Sequence, residues 1–388
     1  MQKIKLLYVI TKLELGGAQK QLLSLISRLD KERYTPFLMT AADGFLLKDF
    51  LSIKGLRLIK VRFLERPINP VKDFLAFYQI YTFLKKNKID IVHTHSLKAG
   101  ILGRWAARFA QVKIIVHTVH GWSFNQYQNH FLRRFIVWLE RLTALITDRL
   151  ITVSWHDLSK GLANRIGNRD KYKLIRYGID YEQFRKEDRS LREQLGIGID
   201  DLVVGMVSCF KPQKSPQDFV RLALLVNKNQ NSNGVKFILA GDGVLRNKIE
   251  RSISQFNLGQ QVILTGWQED INRILQAIDI FVLTSLWEGL PISVLEAMAA
   301  ALPVVATNTG GIMEIVHDGR TGFLIQPGDI NQMSEKLNSL LKNDSLRKQF
   351  GQNARNSLNA DFFLENMVKN TENFYQDLIN KAKQCHVN

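Results

Sequence analysis

The sequence predicts an α/β chain of two domains, each built on a doubly wound parallel sheet. Three observations carry this reading. Apolar runs of strand length alternate with helical patterns along the chain, as expected of strands buried on both faces. The 388 residues exceed one ordinary core, so two domains of about 180 residues each are expected. No low-complexity linker or internal repeat interrupts the alternation.

Lys3–Ile10 reads as a first buried strand. Its basic-then-apolar start is like the opening of a signal peptide, but Lys12 and Glu14 follow at once and no small-residue cleavage site appears. The loop Thr11–Gly17 ends in Gly16-Gly17 before helix Ala18–Leu29. That geometry lets a phosphate approach a helix N-terminus, though a lone glycine pair is more often a plain turn, and the G-x-G-x-x-G spacing is absent. Strands Tyr34–Ala42 and Leu56–Val61, helix Pro70–Lys88, strand Asp90–His95, helix Ala99–Gln111 and strand Lys113–His120 follow. His93 and His95 alternate in VHTHS and share one strand face. Without further ligands at metal spacing they read as packing or loop residues. Gly121 ends the next strand and leaves His120 at the rim, able to donate to a phosphate or sugar hydroxyl; His117 reads as structural.

Residues 125–148 read as a long helix with Phe131, Phe135, Trp138, Leu139, Leu142, Leu145 and Ile146 at helical spacing, a stripe expected to face mostly the core. Strand Arg149–Ser154 and segment Lys173–Asp180 close the first domain, 1–182, and the charged stretch Glu182–Gln194 reads as the connection.

The second domain, 183–364, opens with strand Asp201–Phe210, a loop carrying Lys211 and Lys214, and helix Gln217–Asn229. Lysines in such a loop can clamp a diphosphate, although an exposed loop lysine usually does nothing. Val235–Ala240 turns through Gly241-Asp242-Gly243 onto a helix, and Val262–Gly266 puts Trp267 at a strand end, to stack on a base or to pack. Strand Ile280–Thr284 then runs into Glu288-Gly289-Leu290-Pro291, helix Ser293–Ala301, strand Pro303–Thr307 and a Gly310-Gly311 turn opening another helix. After Phe323–Gln326 the chain is helical, ending in amphipathic Phe362–Lys383.

Chemistry concentrates between Ser285 and Glu314. Ligands of open parallel sheets bind beyond the carboxyl ends of the strands, where helix N-termini offer N–H groups and partial positive charge to phosphate. Glu288 at the strand end and Glu296 one helical turn inside can accept hydrogen bonds from hydroxyls beside such an anion site. Phosphate and polyol side by side describe a nucleotide-sugar. The competing reading makes Glu296 the partner of a buried cation. Pro291, Pro303 and the bracketing turns argue against a membrane span over 289–307.

The net charge of +17 is uneven: residues 1–182 hold 31 Lys and Arg against 14 Asp and Glu, while residues 183–388 hold 22 of each. Something acidic is therefore met in the first half. From Lys98 to Arg149 eight basic residues face two acidic ones, with Trp105, Phe109, Phe131 and Trp138 interspersed. A solvated helical face is the default. The functional reading is an anionic membrane surface rather than nucleic acid, for which no recognition motif is present. Cys209 and Cys385 lie too far apart for a disulfide framework, which suits a reducing compartment.

With these residues in view, the chain resembles glycosyltransferase family 4, the retaining group with the GT-B fold. The matching motifs are GGAQ at 16–19, DIVHTHS at 90–96, TVHG at 118–121, YGID at 177–180, KPQK at 211–214, GDGVLR at 241–246 and E-GLPISVL-E at 288–296. PVVAT at 303–307, GGIMEIV at 310–316 and GFLIQPGD at 322–329 complete them. The resemblance implies two Rossmann-like domains facing across a cleft, the first for acceptor and the second for sugar nucleotide, with residues 365–388 crossing back to the first. It implies that Glu296 holds the ribose hydroxyls and Glu288 the donor sugar, while Gly289, Leu290, Pro291 and Ile292 line the phosphate and sugar site. Lys214 would neutralise the diphosphate, Gly16 and Gly17 would let the other domain approach it, and His120 would contact the sugar.

Two departures stand out: Cys209 where the family often has arginine, with Lys211 the nearest substitute, and Tyr177 where asparagine is usual. No Asp-x-Asp motif is present, so metal-independent chemistry with no cofactor beyond the donor is expected. The expected protein is a cytoplasmic transferase, peripheral on the inner face of the plasma membrane. It moves sugar from a UDP-sugar to a lipid-linked or glycan acceptor in bacterial surface-polysaccharide assembly. The rivals are a transferase making a soluble glycoside and a catalytically weak sugar-nucleotide-binding protein.

Overall fold

Parallel pairing throughout makes two sheets, and each winds outwards from a central strand in both directions. The computed structural model describes residues 3–185, 188, 190–229 and 234–384. Cys385 and residues 186, 187 and 189 of the charged connection lie outside them. The chain divides into two units, Met1–Gly178 with Leu364–Asn388, and Ile179–Phe363.

The first unit runs β1 (Ile4–Val9), α1 (Gly17–Arg28), β2 (Tyr34–Thr40), α2 (Leu47–Leu51), β3 (Arg57–Lys60), α3 (Pro70–Asn87), β4 (Ile91–His95), α4 (Leu97–Phe109), β5 (Ile114–Val119), α5 (His130–Leu145), β6 (Arg149–Thr152), α6 (Trp155–Ala163) and β7 (Tyr172–Leu174). Strand order is β3-β2-β1-β4-β5-β6-β7, with Leu7 of β1 opposite Phe37 on one side and Val92 on the other. The strands are apolar on both faces because both faces are covered. Leu6, Tyr8 and Leu38 pack with Leu22 and Ile26 of α1, and Leu7, Val9 and Val92 pack with Ala76 and Ile80 of α3 and Ala106 of α4. Gly103 lets α4 sit close, since a Cβ there would lie 2.8 Å from Thr94 Cγ2.

The second unit runs α7 (Ser190–Gln194), β8 (Leu202–Val207), α8 (Pro216–Asn229), β9 (Val235–Ala240), α9 (Arg246–Gln255), β10 (Val262–Gly266), α10 (Ile271–Gln276), β11 (Ile280–Leu283), α11 (Ile292–Ala299), β12 (Val304–Thr307), β13 (Gly322–Ile325), α12 (Ile330–Leu341) and α13 (Asp344–Ser357). Its strand order is β10-β9-β8-β11-β12-β13. The chain then returns to the first unit. There α14 (Leu364–Gln384) buries Leu364, Met367, Val368, Phe374, Tyr375 and Leu378 in the core shared with α1.

Two expectations need correction. The helix expected over 125–148 begins at His130, where Asn129 Oδ1 accepts from the Phe131 amide. Its aromatic stripe does not face the core: Phe131 is 81% exposed, Phe135 50%, Trp138 52% and Leu145 75%. The buried face is Ile136, Val137, Glu140, Thr143 and Ala144. The physical reason is an ion pair, Arg104 Nη2 to Glu140 Oε2 at 2.8 Å, with both side chains buried between α4 and α5. A buried charge without its partner costs several kcal/mol, about 3–5, so the pair fixes the roll of α5 and turns the aromatic side outward. Gly310-Gly311 likewise opens no α-helix, only a 3-10 turn over Gly310–Glu314. Gly310 has φ 58°, and a Cβ there would lie 2.1 Å from the Glu288 carbonyl oxygen, so two backbones meet where a helix was expected. Among the described residues no helix is long and apolar enough to cross a membrane.

Candidate active site

In the second sheet β8 and β11 are neighbours from which the chain winds off in opposite directions, the switch point at which such sheets bind ligands. The loops that follow these two strands are tied together. The Leu286 amide donates to Gln213 O at 2.7 Å, Gln213 Nε2 donates to Trp287 O at 2.9 Å, and Thr284 Oγ1 donates to the carbonyls of Lys214 and Ser215 at 3.0 and 2.9 Å. With both loops held, Lys214 Nζ reaches Glu288 Oε1, which also accepts from Ser285 Oγ at 2.6 Å. The lysine and glutamate side chains are 18% and 5% exposed. Both bonds fall on Oε1, so Oε2 is the face of the carboxylate these partners leave to a ligand.

The carboxyl end of β12 braces Glu288 from behind: Thr307 Oγ1 donates to Ser285 O at 2.5 Å and the Gly311 amide to Gly289 O at 2.6 Å. Helix α11 opens after Pro291 with no side-chain cap and no acidic residue in its first turn, so its leading amides present partial positive charge. Leu290 and Pro291 are buried, and Glu296 is half-buried one turn in. Lys211 is half-buried ahead of the 3-10 turn Pro212–Lys214, its amide donating to Cys209 O at 2.8 Å. The Gly241–Gly243 turn packs on the loop after β8, because a Cβ at Gly241 would lie 1.8 Å from Ser208 O. Lys211, Lys214, Glu288, Gly289, Leu290, Pro291, Ile292 and Glu296 thus sit on the loops and helix following β8 and β11. Trp267 follows the edge strand β10, two strands from β8, and is 37% exposed. Sequence reading missed Ser285, Thr284 and Gln213; a serine three residues ahead of Glu288 was the available signal for the first.

In the first unit the switch point lies between β1 and β4, closed by Thr11 Oγ1 and Ser96 Oγ at 2.8 Å. Gly16 precedes α1 with no side-chain cap, and Gly17 is exposed. The histidines form a hydrogen-bonded cluster. His93 Nδ1 meets Tyr375 Oη at 2.5 Å and its Nε2 meets Thr118 Oγ1 at 2.6 Å; His117 Nδ1 meets Thr94 Oγ1 at 2.9 Å. His95 Nδ1 meets His120 Nε2 at 2.8 Å, and His120 Nδ1 meets Tyr177 Oη at 2.5 Å. His120 lies half-buried at the strand end, but both of its ring nitrogens are engaged within the unit. Burial pushes His93 and His120 down to about 3. It also holds His95 and His117 well below the usual histidine range, with neighbouring histidines, and Arg104 for His117, adding to the effect. All four are neutral at pH 7. Among the described residues no group of three or more His, Cys, Asp or Glu is placed to hold a metal ion.

Residues 187–357 match the family described as glycosyl transferases group 1, and residues 15–183 match glycosyltransferase family 4. The chain is 34% identical over 383 residues, 97% of its length and 98% of the relative's, to the Escherichia coli UDP-Gal:alpha-D-GlcNAc-diphosphoundecaprenol alpha-1,3-galactosyltransferase. Among solved structures, Anabaena Alr3699/HepE in complex with UDP and glucose aligns with a TM-score of 0.82 at 21% identity, over 96% of this chain and 100% of that one. Sucrose-phosphate synthase from Thermosynechococcus elongatus aligns with 0.82 at 20% identity, over 98% and 100%. Two doubly wound parallel sheets, full-length likeness to a glycosyltransferase and matches across both halves give one conclusion: the chain belongs to glycosyltransferase family 4, group 1, and is a glycosyltransferase of the GT-B fold.

Proposed function

We propose that the chain transfers a hexose from a UDP-sugar, with retention of anomeric configuration, to a lipid-linked or glycan acceptor in bacterial surface-polysaccharide assembly. The observation that carries the proposal is the Ser285–Glu288–Lys214 set at the second switch point, directly ahead of the uncapped start of α11. A diphosphate lodged there meets an ammonium group and helix-opening amides held in place before the charge develops, and such preorganisation is the largest single source of rate in many enzymes. Lys211 supplies the second cation where the family often has arginine and this chain has Cys209, and the charge is neutralised by protein groups rather than a metal. Glu288 offers Oε2 to the donor sugar, Glu296 accepts from the ribose hydroxyls, and Gly289 to Ile292 line the phosphates. Gly16, Gly17 and His120 of the first unit are carried as further candidates from the family resemblance, His120 with both ring nitrogens engaged within that unit.

A lipid-linked acceptor is supported by the full-length relative, whose name gives its acceptor as a GlcNAc-diphosphoundecaprenol, and by the surface of the first unit. There α5 exposes Phe131, Phe135, Trp138 and Leu145 beside Arg134 and Arg141, while α3 and its approach expose Ile68, Val71, Phe74 and Tyr78. Aromatic and basic side chains on one helix suit the headgroup boundary of an anionic bilayer. Each large apolar side chain contributes about 1.5–3 kcal/mol on full burial, and each arginine about 1 kcal/mol near anionic lipid. We therefore place the enzyme peripherally on the inner membrane face.

The test is a mass-spectrometric screen of UDP-sugars with a GlcNAc-diphospho-lipid acceptor, followed by NMR assignment of the new anomeric centre. A single added hexose with retained configuration is expected. Nucleotide binding with neither hydrolysis nor transfer would instead favour the binding-protein reading that Cys209 motivates, and transfer confined to soluble acceptors would remove the lipid.

A further inference from the structure

We propose that His95 is a positioning residue for His120, holding its Nε2 so that one neutral tautomer in one ring plane faces Tyr177. The inference rests on the reading that His120 serves the donor site, and it arises from a chain of contacts inside the first unit. His95 ends β4 and is 2% exposed. Its ring lies parallel to that of His120, with centroids 5.1 Å apart and planes 24° apart, and His120 lies similarly against Tyr177 at 5.7 Å and 28°. The nitrogen contacts, 2.8 Å on one side of His120 and 2.5 Å on the other, leave the ring no freedom without breaking a half-buried hydrogen bond.

A neutral imidazole carries one N–H and one lone pair, so His120 donates on one side and accepts on the other. Two arrangements satisfy this. In the first, His95 donates from Nδ1 to His120 Nε2, and His120 donates from Nδ1 to the Tyr177 oxygen. In the second, every proton is moved one place, His95 carries its N–H on Nε2, and the Tyr177 hydroxyl donates to His120. The far nitrogen of His95 separates the two. His95 Nε2 is buried and has no hydrogen-bond partner in the protein, and the ring borders a cavity of about 40 Å³ lined also by Gln21, Thr118, Arg176 and Thr371. An orphaned buried N–H is rarer and costlier than an under-used acceptor, so the arrangement that leaves a lone pair rather than an N–H on this nitrogen is favoured. The first arrangement is therefore the stable one. His120 is then the Nδ1–H tautomer, and Tyr177, which stands where the family usually has asparagine, accepts from it.

The experiment uses the full chain labelled with ¹⁵N-histidine. Long-range proton–nitrogen spectra at neutral pH are recorded with His120→Gln to assign the resonances, and steady-state kinetics are measured alongside. The wild type is expected to show a neutral His120 with its proton on Nδ1. His95→Leu should convert it to the Nε2–H form or a mixture and lower kcat about tenfold, with KM for the donor within about twofold. His95→Asn, whose amide nitrogen reaches the place of Nδ1, should recover most of both signals. A wild-type His120 protonated on Nε2, or exchanging between tautomers, would overturn the proposal, as would a His95→Leu enzyme with unchanged tautomer and kcat. Should His95→Leu fail to fold, the wild-type spectrum and His95→Asn still decide. The spectra do not depend on turnover, so a wrong donor assignment would leave the kinetic arm silent and the tautomer readable.

Discussion

The two sheets wind alike, yet their units differ in what they bury and what they leave bare. The first unit buries three histidines with Tyr8, Tyr177 and Tyr375, holds His120 half-buried at the strand end, and leaves Phe131, Phe135, Trp138, Ile68, Val71 and Phe74 in solvent. The exposed large apolar side chains of the second unit, among the described residues, are Ile199, Val244, Trp267 and Met313. Its switch point carries an ion pair, Lys214 with Glu288, instead of a histidine cluster. The chain's positive excess belongs to residues 1–182. One winding order therefore carries two different surfaces, a lysine–glutamate pair at the strand ends of one unit and exposed aromatic side chains on a helix of the other.

The sharpest way to break the contrast is Glu140→Ala. It strands Arg104 as an unpaired buried cation in the first unit and should lower stability by about 3–5 kcal/mol in urea titrations; a loss under 1 kcal/mol would mean that the pair does not set the roll of α5. Lys214→Ala removes the cation paired with Glu288 and should reduce kcat by roughly 10²–10³, whereas an unchanged kcat would count against an anion site at this loop.

Acid should separate the units. The four histidines bind protons in the unfolded chain as pH falls below about 6.5, while in the fold His93 and His120 stay neutral down to about 3. The unfolded state therefore takes up more protons in that window, and the first unit loses stability as pH drops through it. Hydrogen exchange followed from pH 7 to 4 should show its β4 and β5 opening before β8 and β11. Replacing Phe131, Phe135 and Trp138 together by Gln should abolish flotation with anionic liposomes while leaving thermal stability unchanged or raised, and persistent flotation would shift the membrane contact off α5. The smallest effect is expected from Cys209→Arg, which restores the residue common in the family and should leave transfer rates unchanged or modestly higher.

Much of this was legible in the sequence, for identifiable reasons. Strands such as Leu202–Val207 and Ile280–Leu283 are apolar throughout because helices cover both faces, and that pattern needs no tertiary information. Lys214 and Glu288 could be placed at strand ends because turn glycines and prolines mark where strands stop. The face of α5 could not be read. Periodicity shows that a helix has two sides, and the usual rule sends the apolar side inward, but a single carboxylate paired with Arg104 reverses it. The environment of His120 was hidden for a different reason. His95 was visible two residues from His93, but its contact with His120 depends on the registry of β4 and β5, and the Tyr375 that holds His93 arrives from 282 residues away.

That long separation has a consequence for synthesis. The first unit is built from both ends of the chain, with the second inserted between them, so the half that emerges earliest from the ribosome cannot close its core until α14 has been made. The inserted half is contiguous and can finish sooner, which reverses the usual N-terminal-first order of domain maturation. A chain ending before Leu364, once released from the ribosome, should therefore carry a protease-resistant second unit tethered to an open, protease-sensitive first.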